Sequence, residues 1–302
     1  AKSLGFLDRR AEDKKPFFLW HCASRLHVFL HLKNESQGKS KAGNQDLYGD
    51  ALKEHDEHVG QILKKLDETG MAKNTIVVWV TDNGAYRYMW PEGGTTPFRG
   101  DKGTTWEGGI RVPCVVRWPG APGGRTSGEL MSILDLFPTL ARAGGEADVV
   151  DKLKKGHAYG GETFKVHLDG FDQTDLLAGK SPESARNALF YYDEATLTAI
   201  RYKQFKVIFS AKMNGNWDDP LVDFGRPWVV NLRMDPFESN MNNVARKMAE
   251  HKTWVLTPML GVIEKHFASF QEFPVRQIGL SGEFGKTIEK IQNQILSIKK
   301  NH

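Results

Sequence analysis

A chain of 302 residues with 40% hydrophobic, 11% aromatic and 26% charged residues can bury one large core or two unequal ones, which excludes a disordered or fibrous protein. Its 41 Lys and Arg against 37 Asp and Glu leave a net charge of +4, scattered along the chain, which argues against a nucleic-acid partner and suits an anionic small molecule. Cys22 and Cys114 are too few for a disulfide framework, and the absence of any long apolar run predicts no membrane partner.

Taken in order, residues 1–15 are charged and helix-like, ending near Arg10 or Ala11, and the apolar run 16–20 predicts a short buried strand. Leu47, Leu52, Val59, Ile62, Leu63 and Leu66 recur at helical spacing, with Gly70 as the stop. The β-branched run 75–80 then reads as a strand buried on both faces, so that strand, helix and strand suggest a parallel crossover. A further strand over 113–118 and a helix over 136–143, stopped by Gly144 and Gly145, extend the pattern. From 146 to 184 the composition turns to Gly, Lys, Asp and Ser and reads as a linker, with Lys152, Lys154 and Lys155 solvated. Beyond it, short segments at 189–193, 196–202, 205–209 and 228–232 predict an antiparallel meander, followed by helices over 248–270 and 285–299. The expected fold class is α/β: a mostly parallel sheet sandwiched by helices over 1–184, and a smaller C-terminal α+β part with an antiparallel sheet over 185–302.

The sharpest chemical signal is Thr81-Asp82-Asn83-Gly84, placed directly after the buried strand. In open α/β sheets the site lies at the carboxyl ends of strands, and Asp with Asn offers two hard oxygens suited to calcium or magnesium. Alone, the tetrapeptide is also an ordinary turn. Downstream, Thr95 to Pro113 is a glycine-rich loop in which Lys102 supplies a compact charge with three donors, a fit for a tetrahedral oxyanion ester. His55-Asp56-Glu57-His58 has its histidines one residue too close for the zinc-protease pattern and reads as a solvated helix face.

This turn and loop, in this order and spacing, resemble the paired signatures of the type I sulfatase (arylsulfatase) family of the alkaline-phosphatase-like superfamily. Lys15 to Leu19 leading to Arg25-Leu26-His27, the segment Leu134 to Leu140, and Asn231-Leu232-Arg233-Met234-Asp235-Pro236-Phe237-Glu238 resemble further stretches of the family. The resemblance implies that Asp82 and Asn83 ligate a divalent metal, usually calcium, and that His27 and Lys102 contact the sulfate group in catalysis. Glu107 and Arg111 are assigned to loop structure. His31, Lys33, Trp90 and Arg99 are candidates for lining the pocket.

The family draws its nucleophile from a formylglycine made in a Cys-x-Pro/Ala-x-Arg motif, which does not occur in these residues. Cys22-Ala23-Ser24-Arg25 is one residue too short. The expectation is a sulfuric ester hydrolase acting on a small-molecule or carbohydrate sulfate, periplasmic or secreted by resemblance, whose formylglycine lies in an N-terminal part outside this chain. That part would be supplied by a second chain or a longer precursor, or its place covered in a homo-oligomer, and the chain alone would be inactive. The alternatives are a phosphonate or phosphate monoester hydrolase of the same superfamily and a non-catalytic sulfatase-like remnant.

Overall fold

The computed structural model describes residues 1–27, 29–40, 46–89, 93–239 and 244–274. They fall into two compact units, Ala1–Thr96 with Val112–Gly123, and Pro97–Arg111 with the chain from Gly124 onward. The lysine-bearing loop and residues 124–184 fall in the same unit as the C-terminal sheet.

In the first unit, α1 (Lys2–Asp13) buries Leu7 and ends where Lys14 takes a left-handed conformation at φ 55°. Residues 16–20, expected as a strand, run as irregular chain with Phe18 and Trp20 71% and 80% exposed. A strand needs a neighbour for its backbone groups, and this stretch finds none among the described residues. Helix α2 (Leu47–Glu68) starts on Asp46, whose carboxylate accepts the Gly49 amide at 2.8 Å, and is followed by Gly70 at φ 74°. Strands β1 (Val77–Val80) and β2 (Cys114–Arg117) pair antiparallel, Val77 opposite Arg117 and Val80 opposite Cys114. The crossover expected from residues 16–20 through α2 to β1 lacks its first strand, since 16–20 is irregular chain, and the connection from β1 to β2 includes a one-turn helix, α3 (Glu107–Ile110). The parallel crossover predicted for this region is therefore not formed among the described residues.

In the second unit, α4 (Leu136–Ala143) follows a capping box in which Ser132 and Asp135 satisfy each other's backbone amides. Asp135, fully buried, also accepts the Phe171 amide at 2.8 Å and the Arg186 guanidinium at 2.6 Å, which fixes residues 169–186 against this helix. The stretch expected as a linker is thus structured. It holds α5 (Val149–Lys155), a hairpin of β3 (His157–Tyr159) and β4 (Glu162–Phe164), and α6 (Thr174–Leu177). Gly160 and Gly161, both at positive φ, make the two-residue turn that closes the hairpin, a signal a composition average hides. Lys154 and Lys155 are exposed as expected, while Lys152 pairs with Glu146 at 2.7 Å.

The meander is formed by β5 (Ala188–Asp193), β6 (Thr196–Tyr202), β7 (Phe205–Lys212) and β8 (Leu221–Asn231), all antiparallel and in chain order. Strand alternation sends Ala199, Ile208 and Val230 to one face, where they pack with Trp106, and Ile200, Val207 and Val229 to the other. That second face is covered by Val255, Met259 and Ile263 from the turn before and the body of α8 (Leu256–Glu272), which follows α7 (Val244–His251). The helix expected over 285–299 lies outside the described residues.

Candidate functional site

Asp82 and Asn83 lie on the turn directly after β1. Asp82 is exposed, and its Oδ1 accepts the Asn83 amide at 3.0 Å and the Thr81 hydroxyl at 3.3 Å. The Asn83 side-chain amide donates to the Gly84 carbonyl at 2.9 Å. Asp82 Oδ2 and Asn83 Oδ1 therefore keep their lone pairs among the described residues, two hard oxygens on adjacent residues that suit a hard divalent cation. Among the described residues no three His, Cys, Asp or Glu side chains gather into a metal cage. The pair would hold such an ion only with further oxygens.

His27 belongs to the same unit, exposed, directly after Leu26 at φ 71°. Its neighbour Arg25 forms an ion pair with Glu54 of α2, whose other oxygen accepts the Ser36 hydroxyl at 3.0 Å. The Arg25 charge is thus committed to the scaffold, and Lys33 sits 3.5 Å from Glu35. His55, read from sequence as solvated, instead accepts the Trp79 indole N–H at 2.9 Å and ties α2 to β1. Burial, followed by the neighbouring His58 and His21 charges, pushes its pKa down.

Lys102 belongs to the other unit, so the four predicted residues divide as three and one. Its loop is held from beneath. Lys206 on β7 is completely buried, donates to the Thr105 carbonyl at 2.8 Å, and lies 3.3 Å from Glu107 and 2.8 Å from Glu238. Glu238 accepts the Glu107 amide at 2.6 Å, and Tyr191 donates to Glu107 at 3.3 Å. Burial raises the Glu238 carboxyl above its ordinary range, opposed by Lys206 and reinforced by Glu107, and raises the Tyr191 phenol, reinforced by Glu107 and opposed by Arg201. Trp106 is buried with its indole N–H on the Lys212 carbonyl at 2.7 Å, and the Arg99 guanidinium lies 4.1 Å over its ring. Arg99, a pocket-lining candidate from sequence, therefore braces the loop, donating to the Met213 carbonyl at 2.9 Å. Arg111 likewise covers Phe98, 4.6 Å from its centroid.

Close packing forces the glycines here. A Cβ on Gly108 would come within 2.7 Å of the Phe98 carbonyl, and Gly103 turns at φ 82°. The result is a rigid turn on which Lys102 is half-buried, its ammonium without an acceptor or acid among the described residues. A cation desolvated in this way gains most from an anion brought to it. Sequence reasoning missed Lys206: a lysine alternating with apolar neighbours looks like the solvent side of a strand, and its partner Glu238 is 32 positions away. Trp90 and the side chain at position 88 lie outside the described residues.

Comparison with known proteins gives a family match and a fold match. Residues 1–146 match the family model described as Sulfatase. The chain is 35% identical over 222 residues to steryl-sulfatase of Mus musculus, covering 68% of this chain and 33% of that protein. It is 34% identical over 221 residues to N-acetylgalactosamine-6-sulfatase of Canis lupus familiaris, with 72% and 38% covered. A crystal structure of a sulfatase from Pseudoalteromonas sp. superposes with a TM-score of 0.80 at 30% identity, over 92% of this chain and 53% of that one. The chain shares its alkaline-phosphatase-like fold. It spans between a third and about half of the length of these relatives.

Proposed function

The chain belongs to the sulfatase family, and from that premise we propose that the protein carrying it hydrolyses a sulfuric ester to an alcohol and sulfate. The observation that carries the reading is Lys102: a half-buried ammonium, fixed by a loop bolted to a buried ion network and left without a counter-charge among the described residues. Such a group is preorganised for the oxygens of a tetrahedral anion, and its attraction strengthens as charge builds on them.

His27 is the second proposed contact to the sulfate, as a donor to an oxygen or to the departing alcohol. Asp82 and Asn83 would hold a divalent cation, proposed as calcium, because both present hard oxygens and no sulfur or imidazole. Bound there, the ion would act as a Lewis acid on the sulfuryl oxygens. The nucleophile implied by the resemblance, a formylglycine, has no motif in these 302 residues, so the chain by itself is proposed to bind the ester without turning it over. Among the described residues no helix is long and apolar enough to cross a membrane. A carbohydrate sulfate is the substrate class proposed, by likeness to the relative named N-acetylgalactosamine-6-sulfatase.

Turnover of nitrophenyl sulfate and nitrophenyl phosphate by the protein carrying this chain, and by its K102A variant, tests the reading. The sulfate ester is expected to be preferred, and K102A to lower its kcat/KM by roughly a hundredfold, the loss of one charged stabilising contact. Preference for the phosphate ester would favour a phosphonate or phosphate monoester hydrolase, and an unaffected K102A variant would remove Lys102 from the site.

A further inference from the structure

Trp217 lies on the connection between β7 and β8, beside the loop that carries Lys102. The Lys102 ammonium sits over its indole, 5.6 Å from the ring centroid. A Cβ added to Gly103 would fall 2.6 Å from Trp217 Cδ1 and Cδ2, so the indole is in close contact with the loop backbone. Yet 44% of this large side chain remains exposed.

The two residues are held in register. Lys212 donates to the Gly103 carbonyl at 3.0 Å, Trp106 donates to the Lys212 carbonyl, and Arg99 donates to the Met213 carbonyl. Two residues after Trp217 in the chain, Asp219 accepts the Asn216 amide at 2.8 Å and the Asn214 side chain at 3.3 Å, closing the connection into a tight turn around Gly215 at φ 82°. That backbone amide is the main reason the Asp219 carboxyl titrates below its usual range. An exposed indole on a pinned turn is preorganised, so a ligand meeting it has little ordering cost to overcome.

We propose that Trp217 is a specificity-determining residue: the platform on which the sugar ring of a carbohydrate sulfate lies while its sulfate group meets Lys102. The inference rests on the sulfate-ester reading of Lys102. An indole face carries negative charge density, and the C–H face of a pyranose is apolar and weakly positive, so the two attract when stacked. A ring packed at van der Waals distance, about 4 Å, on the exposed part of the indole would carry its exocyclic sulfate toward the Lys102 ammonium, 5.6 Å from the same ring centroid. Asp218, next in the chain and exposed, provides a carboxylate for the sugar hydroxyls, a rim that an aryl ring would not use.

Calorimetric titration of the chain with galactose 6-sulfate, galactose, inorganic sulfate and nitrophenyl sulfate, for the wild type and the W217A, W217F and K102A variants, tests this. Galactose 6-sulfate is expected to bind about tenfold more tightly than inorganic sulfate, the worth of one good aromatic contact. W217A should erase that ratio, W217F should restore part of it, and K102A should weaken both sulfates together. An unchanged ratio in W217A overturns the platform and leaves the anion site standing. Equal loss of both ligands in W217A overturns it too, since the indole would then be only a prop for the loop. Tighter binding of nitrophenyl sulfate than of galactose 6-sulfate overturns the choice of a sugar. A wild-type chain that binds neither sulfate overturns the anion-site reading and the platform with it.

Discussion

The backbone amide of Glu107 donates to the carboxylate of Glu238 at 2.6 Å, across 131 positions of sequence, and both side chains are buried around the single ammonium of Lys206. Two carboxylates and one lysine share a site closed to water. The arrangement is tolerable because each oxygen lies near a donor or cation, with Arg201 3.9 Å from Glu107 adding a second positive charge. Its product is a fixed N-terminal start for α3 and hence a fixed path for residues 100–106.

Replacing Lys206 by Met keeps the volume and strands the two acids. The K206M variant is expected to lose about 3–5 kcal/mol, the cost of leaving a buried charge unpaired, measured by urea unfolding. E238Q, which retains an oxygen for the Glu107 amide, should cost about 1 kcal/mol. Equal stability of K206M and wild type would show that the ions do not hold the loop.

Gly103 makes a separate test of the same loop. Alanine there must adopt φ near 82° and displace the Trp217 indole. G103A is expected to destabilise by about 1–3 kcal/mol, the usual strain of a non-glycine residue in a sparsely populated region. Removing the indole as well, in G103A/W217A, should relieve the collision and not the backbone strain, leaving the double variant between G103A and W217A in denaturation midpoint.

His266 on α8 stacks on Phe190 at 3.8 Å between centroids and shares a hydrogen bond with the Tyr192 hydroxyl at 2.8 Å. Burial pushes its pKa below the ordinary 6.5, against a smaller upward pull from Asp169. Above that ordinary value both folded and unfolded chains carry a neutral imidazole and stability does not depend on it. As pH falls below it, the unfolded chain takes up the proton and the folded one resists, so stability declines until the folded pKa is reached. Melting temperatures at about pH 7.5 and about pH 5.5 should differ more for the wild type than for H266F; equal differences would rule out the imidazole as the cause.

The oxygens of Asp82 and Asn83 predict a calcium affinity that depends on both. Because calcium wants about six to eight oxygens, the chain alone should bind weakly, and D82A should bind more weakly still. Calorimetry with calcium chloride reads this directly, and identical titrations for D82A and wild type would move the metal elsewhere.

What could be read in the sequence followed local chemistry. The meander was legible because its short apolar segments are separated by turn signals, and neighbours such as Ala199 and Ile200, or Val207 and Ile208, bury on opposite faces of the sheet. The helix at 136–143 was legible from its glycine stop. The Asp82 turn announced its hard oxygens by residue type alone. Lys206 was not legible, since ion pairs closing over 32 and 99 positions leave no mark on either neighbourhood, and a lysine inside a strand normally signals water. His55 was misread for a related reason: its acceptor role depends on Trp79, which lies on another element. The hairpin turning on Gly160 and Gly161 was averaged away inside a polar stretch.

Trp106 is wedged beneath one face of the meander while Val255, Met259 and Ile263 press on the other. A protease can cut only chain that swings free into its cleft, and residues 100–106 cannot do so while that indole stays seated. Limited digestion should therefore spare the lysine segment for as long as the sheet holds, and cleavage next to Lys102 would report that the β-sheet itself had come apart.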